Sequence, residues 1–394
     1  MKSLSPSKAM GGLIFLAGLF FLNFTSRVIF SPLLPLIEQE MGIDHVQSGA
    51  FFLFISGGYF LSILSSGFVS ARINHKNTIV LSSLALGVAL FLLGGCSTLF
   101  TLQAGLFVLG LGAGLYFSSG LATIVHLVPS AYLSRGMAIH ELAPNLGFVA
   151  APLICDLFLK YLPWRYGLAL LGLLIIGIGV VYGLSSHGCK ERGRAPDLSA
   201  TTVFFKMPLF WAMVALFSLA ICSTLGIYAM APLFLVNDHG MDPGRANSLL
   251  AISRIASIFM PLAGGWFGDR YGKQLVMALV LLVTGLLTVA MAMVGDGVWL
   301  MTLVVAQPIV AVCFYPAGFA VLSKLGAVQY GNLSVSLCLP LAFLIGGGLM
   351  PTFIGFVGDL YSISSGIILV GSLMALGGAT SLFVALTNEK KMLV

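Results

Sequence analysis

HGCKERGRAPDLSATTVFFK, residues 187–206, is the longest polar interruption in a chain of 394 residues that is 59% hydrophobic and 8% charged. Soluble domains carry about a quarter charged residues, so the few charges here mark where the chain leaves an apolar medium. On either side of this stretch the sequence breaks into apolar runs of roughly 20 residues or more, each able to cross a bilayer as a helix. Before it come 11–36, 47–70, 77–95, 98–128, 137–159 and 164–186; after it come 207–236, 246–268, 274–294, 297–323, 331–357 and 362–387. The expectation is an all-α polytopic membrane protein of twelve transmembrane helices. They form two six-helix bundles, 1–186 and 207–394, joined by the central loop 187–206.

Basic residues set the orientation, because Lys and Arg concentrate in cytoplasmic loops. With both termini in the cytoplasm, 14 of the 19 fall inside, among them Lys2, Arg72, Arg135, Arg194, Lys206, Arg270 and Lys324. Lys160, Arg165 and Arg245 fall outside. The net charge of +6 thus reflects topology in a plasma membrane, the inner membrane of a bacterium, and argues against nucleic acid as a partner. The first run is too long for a signal peptide and reads as a retained helix. Six scattered cysteines show no metal-ligand spacing and imply no disulfide. No phosphate-binding glycine loop, cofactor motif or nucleophile–base constellation is evident, so an enzyme is not expected. The expected partners are lipid, a small anionic substrate and a coupling ion, around a monomer.

The halves repeat weakly. Pro35 followed by Gly42-Ile43-Asp44 matches Pro232 followed by Gly240-Met241-Asp242, at an offset of about 198 residues. Parallel repeats about an axis along the membrane normal are a transporter pattern, with the site at the repeat interface near the midplane. The turn Gly265-Trp266-Phe267-Gly268-Asp269-Arg270-Tyr271-Gly272-Lys273 resembles the G-x-x-x-D-R-x-G-R/K loop of the major facilitator superfamily. Its first-half copy, Gly67 to Lys76, keeps Arg72 but has Ala71 in place of the acid. The resemblance implies a gating role for Asp269, Arg270 and Arg72, with Asp269 capping the start of the fifth span near Gly136. Ala71 implies that the gate is asymmetric.

Two arginines escape the charge sorting: Arg27 in the first run and Arg254 in the eighth. A cation at a bilayer centre costs about 2.5–3.5 kcal/mol on insertion scales. One such residue in each half points to a central site for an anion, since a guanidinium fork fits a carboxylate. Asn23-Phe24-Thr25-Ser26-Arg27, with Tyr59 and Gly110 to Phe117, resembles the anion:cation symporter branch. Ser26 and Ala113 stand where that branch carries acids tied to proton coupling. Arg254 is similar in place to an arginine of monocarboxylate and oxalate transporters, with Leu250 where monocarboxylate transporters have an acid. Each arginine also has a structural reading, as a tie between helices.

Tyr59, Tyr116, Asn145, Tyr228, Gln307 and Tyr315 are candidate substrate-cavity residues, and His140 and Glu141 candidates to carry a coupling proton. The leading expectation is a rocker-switch secondary transporter of a small organic anion, a carboxylate, coupled to protons. Drug or metabolite efflux, nitrate-type transport and a non-transporting receptor are the alternatives.

Overall fold

The computed structural model describes residues 6–129, 132–185, 188–193, 198–325 and 333–392. Lys2, Arg194, parts of the central loop and the first two residues of the eleventh run lie outside them. No strand occurs among the described residues. Eleven helices there are long and apolar enough to span a membrane, and one bent pair supplies a twelfth. The first six are Met10–Met41, His45–Ile73, His75–Leu93, Leu99–Leu127, Arg135–Tyr161 and Trp164–Leu184. The second six are Pro208–Asp238, the pair Pro243–Ile258 with Met260–Tyr271, Lys273–Met293, Val298–Leu322, Leu333–Leu360 and Ile363–Thr387. Many large apolar side chains stay exposed, such as Leu92, Val181, Leu262, Leu286 and Phe383. On a lipid-facing surface this is the favourable arrangement, because the backbone polar groups are satisfied within each helix.

The repeat is written in backbone conformation. Gly42 and Gly240 both take positive φ, 61° and 58°, and each ends the first span of its half. At the opposite ends of the second spans, Asn74 (φ 71°) matches Gly272 (φ 97°) at the same offset. Asparagine is among the few side chains that tolerate this region. Asn74 also caps the third span, its side chain accepting from Asn77 N at 2.9 Å.

By internal contacts the chain forms two compact units, Met1–Leu33 with Phe54–Pro196, and Leu34–Leu53 with Asp197–Val394. The short segment 34–53 therefore packs within the second unit. There the Asp359 carboxylate accepts from His45 N at 2.8 Å and Val46 N at 2.9 Å, capping the second span.

Two spans break beside an arginine. The first is interrupted at Ile29, between helices Pro6–Val28 and Phe30–Met41. Pro32 cannot donate to the carbonyl four residues back. The eighth bends by 42° after a tight turn at Ala256–Ile258, where Pro261 has the same effect. Thus the eighth run, expected as one helix, is two. Arg27 and Arg254 each lie in the last turn of the helix that ends at the break. That is the negative end of a helix dipole, where a cation gains about 0.3–1 kcal/mol and more when partly buried.

Candidate functional site

In the second unit the site is built on a π-helical turn. Cys222–Gly226 forms one such turn in the seventh span, and Ile345–Leu349 forms another in the eleventh. π-bulges leave backbone groups for outside partners and recur at functional positions. Three of the sequence-identified residues take up those groups. Arg254 Nη2 donates to Thr224 O at 2.8 Å. Gln307 Nε2 donates to Ser223 O at 2.9 Å. Tyr315 donates to Ala220 O at 3.2 Å and shares a 2.7 Å hydrogen bond with the Thr224 hydroxyl. Arg254 is 4% exposed, and its guanidinium carbon lies 4.9 Å from the Tyr228 ring centroid. Tyr228, Ser253, Arg254 and Gln307, with Leu250 and Met291, line a cavity of about 20 Å³, room for one water.

The first unit repeats the chemistry with different helices. Arg27 is 7% exposed and donates through Nε to Asn23 O at 3.4 Å. Its guanidinium carbon lies 4.4 Å from the Tyr59 ring centroid and 5.0 Å from that of Phe24. Asn23 Nδ2 donates to Ala113 O at 3.1 Å, so the backbone at Ala113 engages the asparagine beside the arginine. Ser26 donates back to Asn23 O at 2.8 Å and is wholly buried. A cation over a desolvated aromatic face gains about 2 kcal/mol, which offsets part of the burial cost in both units.

The other candidates are placed differently. Tyr116 is buried in an apolar cluster with Leu16, Phe20 and Tyr182. Its hydroxyl donates to Leu16 O at 2.8 Å and meets His140 Nε2 at 3.0 Å. Because that hydroxyl proton is committed to Leu16, the oxygen accepts from His140 Nε2–H, which leaves Nδ1 as the basic nitrogen. Nδ1 is buried without a hydrogen-bond partner and lies 3.6 Å from Glu141 Oε1. The His140 ring stacks on Phe20 at 4.3 Å. Asn145 is partly exposed and donates to Glu141 O at 3.0 Å. Among the gating candidates, the Asp269 side chain is 79% exposed and pairs with Lys273 at 3.8 Å. Arg270 lies over Trp266 and Tyr271, and Arg72 is exposed.

Sequence reasoning missed Ser223, Thr224 and Ser253. The signal was the small polar run Cys222-Ser223-Thr224 within an apolar span.

Comparison with known proteins fits this architecture. Over 274 residues the chain is 23% identical to a probable sulfoacetate transporter of Cupriavidus necator, covering 65% of this chain and 64% of that one. It is 24% identical over 293 residues to a membrane sensor protein of Salmonella typhimurium, covering 67% and 64%. The chain thus matches under two thirds of the length of these relatives. A bacterial homologue of the human lysosomal transporter Spinster has the same fold, with TM-score 0.77, 16% identity and coverage of 96% and 94%. So does a nucleoside transporter, with TM-score 0.78, 15% identity and coverage of 94% and 99%. Residues 16–337 match the Major Facilitator Superfamily, and the chain belongs to that family.

Proposed function

We propose that the protein is a secondary transporter of a small organic anion, and that Arg27 and Arg254 are anion-binding residues, each within its own bundle. The observation that carries this reading is the paired arrangement: in each bundle a buried arginine lies over a buried tyrosine, at a helix break. Leucine at either place would avoid the desolvation cost of a cation, so retention of the charge needs a reason that an anionic substrate supplies. Tyr59, Tyr228, Gln307 and Tyr315 hold the arginines or the backbone beside them. The similarity to proteins described as sulfoacetate and hexose phosphate transporters supports the anion class. Family membership supports alternating access, with Asp269, Arg270 and Arg72 at the gate. A thermal-shift screen of purified protein against carboxylates, sulfoacetate, hexose phosphates and nitrate tests the reading. The hit should stabilise the wild type and fail on Arg27→Gln and Arg254→Gln. A ligand that stabilises all three equally removes both arginines from the site.

Coupling to protons is assigned to His140 with Glu141. His140 Nδ1 is a buried base one contact from an exposed carboxylate, a geometry that admits a proton from water by way of Glu141. A second reading, a transporter-like sensor that moves no solute, draws on the similarity to the Salmonella typhimurium sensor protein. Ligand binding without uptake into proteoliposomes would favour it.

A further inference from the structure

The central linker does more than join the halves. Residues 188–193 lie along the end of the first unit and are fixed by three backbone hydrogen bonds. Lys76 N donates to Cys189 O at 2.8 Å, His75 N to Glu191 O at 3.1 Å, and Gly193 N to Ser70 O at 3.1 Å. The first two satisfy donors that the start of the third span leaves open. Cys189 and Glu191, both held by these bonds, bring their side chains to His126, in the last turn of the fourth span.

The ligand atoms of His126, Cys189 and Glu191 all lie within 4.8 Å of one another. His126 Nδ1 is 3.8 Å from Glu191 Oε1. In a tetrahedral zinc site, bond lengths of about 2.0–2.3 Å place neighbouring ligand atoms roughly 3.3–3.7 Å apart. Side-chain rotations of about an ångström would close this set on an ion. Sequence spacing could not reveal it, because the imidazole and the linker pair come from distant parts of the chain.

We infer that His126, Cys189 and Glu191 form a binding site for a thiolate-preferring divalent metal ion, of which zinc is the type, that pins the central linker to the first unit. One thiolate, one imidazole and one carboxylate suit zinc over magnesium or calcium. Cys189 is 2% exposed and Glu191 reaches solvent, so the sulfur is shielded while the ion has a way in. On binding, the Cys189 thiol gives its proton to solvent and the sulfur lone pair forms the metal bond. Water takes the fourth position.

Cobalt(II) is the probe, since a cobalt–thiolate bond gives a near-ultraviolet charge-transfer band. Chelator-treated full-length protein in detergent, kept reduced with a phosphine, is titrated with Co²⁺ and then with Zn²⁺. Wild type and Cys96→Ser should each take one equivalent with the thiolate band, and zinc should displace it. Cys189→Ser should lose the band. His126→Asn and Glu191→Gln should keep it with affinity weakened about tenfold or more. Glu191 is exposed, so its variant reports on the site even if Cys189→Ser folds poorly. Absence of the band in wild type, an equal band in Cys189→Ser, or unchanged affinity in both other variants would overturn the inference and leave only a surface ion pair between His126 and Glu191.

Discussion

Replacing Arg254 by lysine separates charge from geometry. The guanidinium anchors one nitrogen on Thr224 O at 2.8 Å and lies over Tyr228, so its plane is set before any ligand arrives. It also lines the cavity with Gln307. A planar fork can hold the carbonyl and present further N–H groups to a carboxylate together. An ammonium keeps the charge but not that division of labour: held at Thr224, it has less to offer the ligand. The loss is about one hydrogen bond to a charged group, worth roughly 1.5–3 kcal/mol, or about 10–150-fold in Kd at 1.4 kcal/mol per decade. Calorimetric titration of the anion found by thermal shift measures it, with the melting temperature of ligand-free protein recorded beside it. Arg254→Lys should melt near wild type and bind that much more weakly, and Arg254→Gln should bind more weakly still. A lysine variant whose Kd stays within about twofold of wild type would refute the argument and make Arg254 a clamp on the π-helical turn alone.

Further outcomes follow from the same structure. A Cβ on Gly346 would sit against Ser218 O where the seventh and eleventh spans cross, so Gly346→Ala should cost about 1–3 kcal/mol, read as a lowered melting temperature. Gly18→Ala, with nothing within 4 Å of the added atom and inside the helix Pro6–Val28, should not lower it and should raise it slightly, by up to about 1 kcal/mol of helix stability. Asn74→Ala loses the cap, worth about 1 kcal/mol, and places alanine at φ 71°, a further 1–2 kcal/mol or so; Asn74→Gly should cost less, and equal melting temperatures would contradict this. His140→Asn should abolish the stimulation of anion uptake by an imposed proton gradient in proteoliposomes while exchange continues; a stimulation equal to wild type would remove His140 from coupling. Ala71→Asp should shift cysteine-labelling accessibility toward the outward-open state, and an unchanged labelling pattern would count against the proposed gate asymmetry.

What was legible in the sequence was what the bilayer dictates. Twelve apolar runs, the polar linker and the loop Gly265 to Lys273 follow from the cost of putting polar groups in lipid, and the helices lie where those runs do. Arg27 and Arg254 were visible for the same reason. The breaks were half legible: Pro32 and Pro261 stood in plain view, but a proline says only that a carbonyl is freed, not that the eighth span bends by 42° beside Pro261. The π-helical turn Cys222–Gly226 was not legible, because its register depends on close packing against the eleventh span. Its partners therefore looked like isolated cavity residues. Tyr116 and His140 illustrate the same limit. Side by side in an aromatic stack, they have polar tips that satisfy each other and Leu16 O, and only the packing of three helices reveals that.

The two arginine–tyrosine pairs are not copies of each other, which bears on why they exist. In the first half the arginine is on the first span and the tyrosine on the second. In the second half the tyrosine is on the seventh and the arginine on the eighth. At the repeat offset of 197–198, Arg27 corresponds to Thr224 or Leu225 and Arg254 to Ser56 or Gly57, none of them charged. The turns Gly42 with Gly240 and Asn74 with Gly272 keep an offset of 198, whereas Pro35 and Pro232 lie 197 apart, with a π-helical turn at Phe234–Asp238 between Pro232 and Gly240. A pairing inherited with the fold would have kept equivalent positions, as those turns did. The same solution, a buried cation over a tyrosine at a proline-associated break, was instead reached from non-equivalent positions. The counterpart sites carry no charge, so the repeat itself does not demand one. The proposed anion-binding role, filled within each bundle by its own arginine, would supply such a demand.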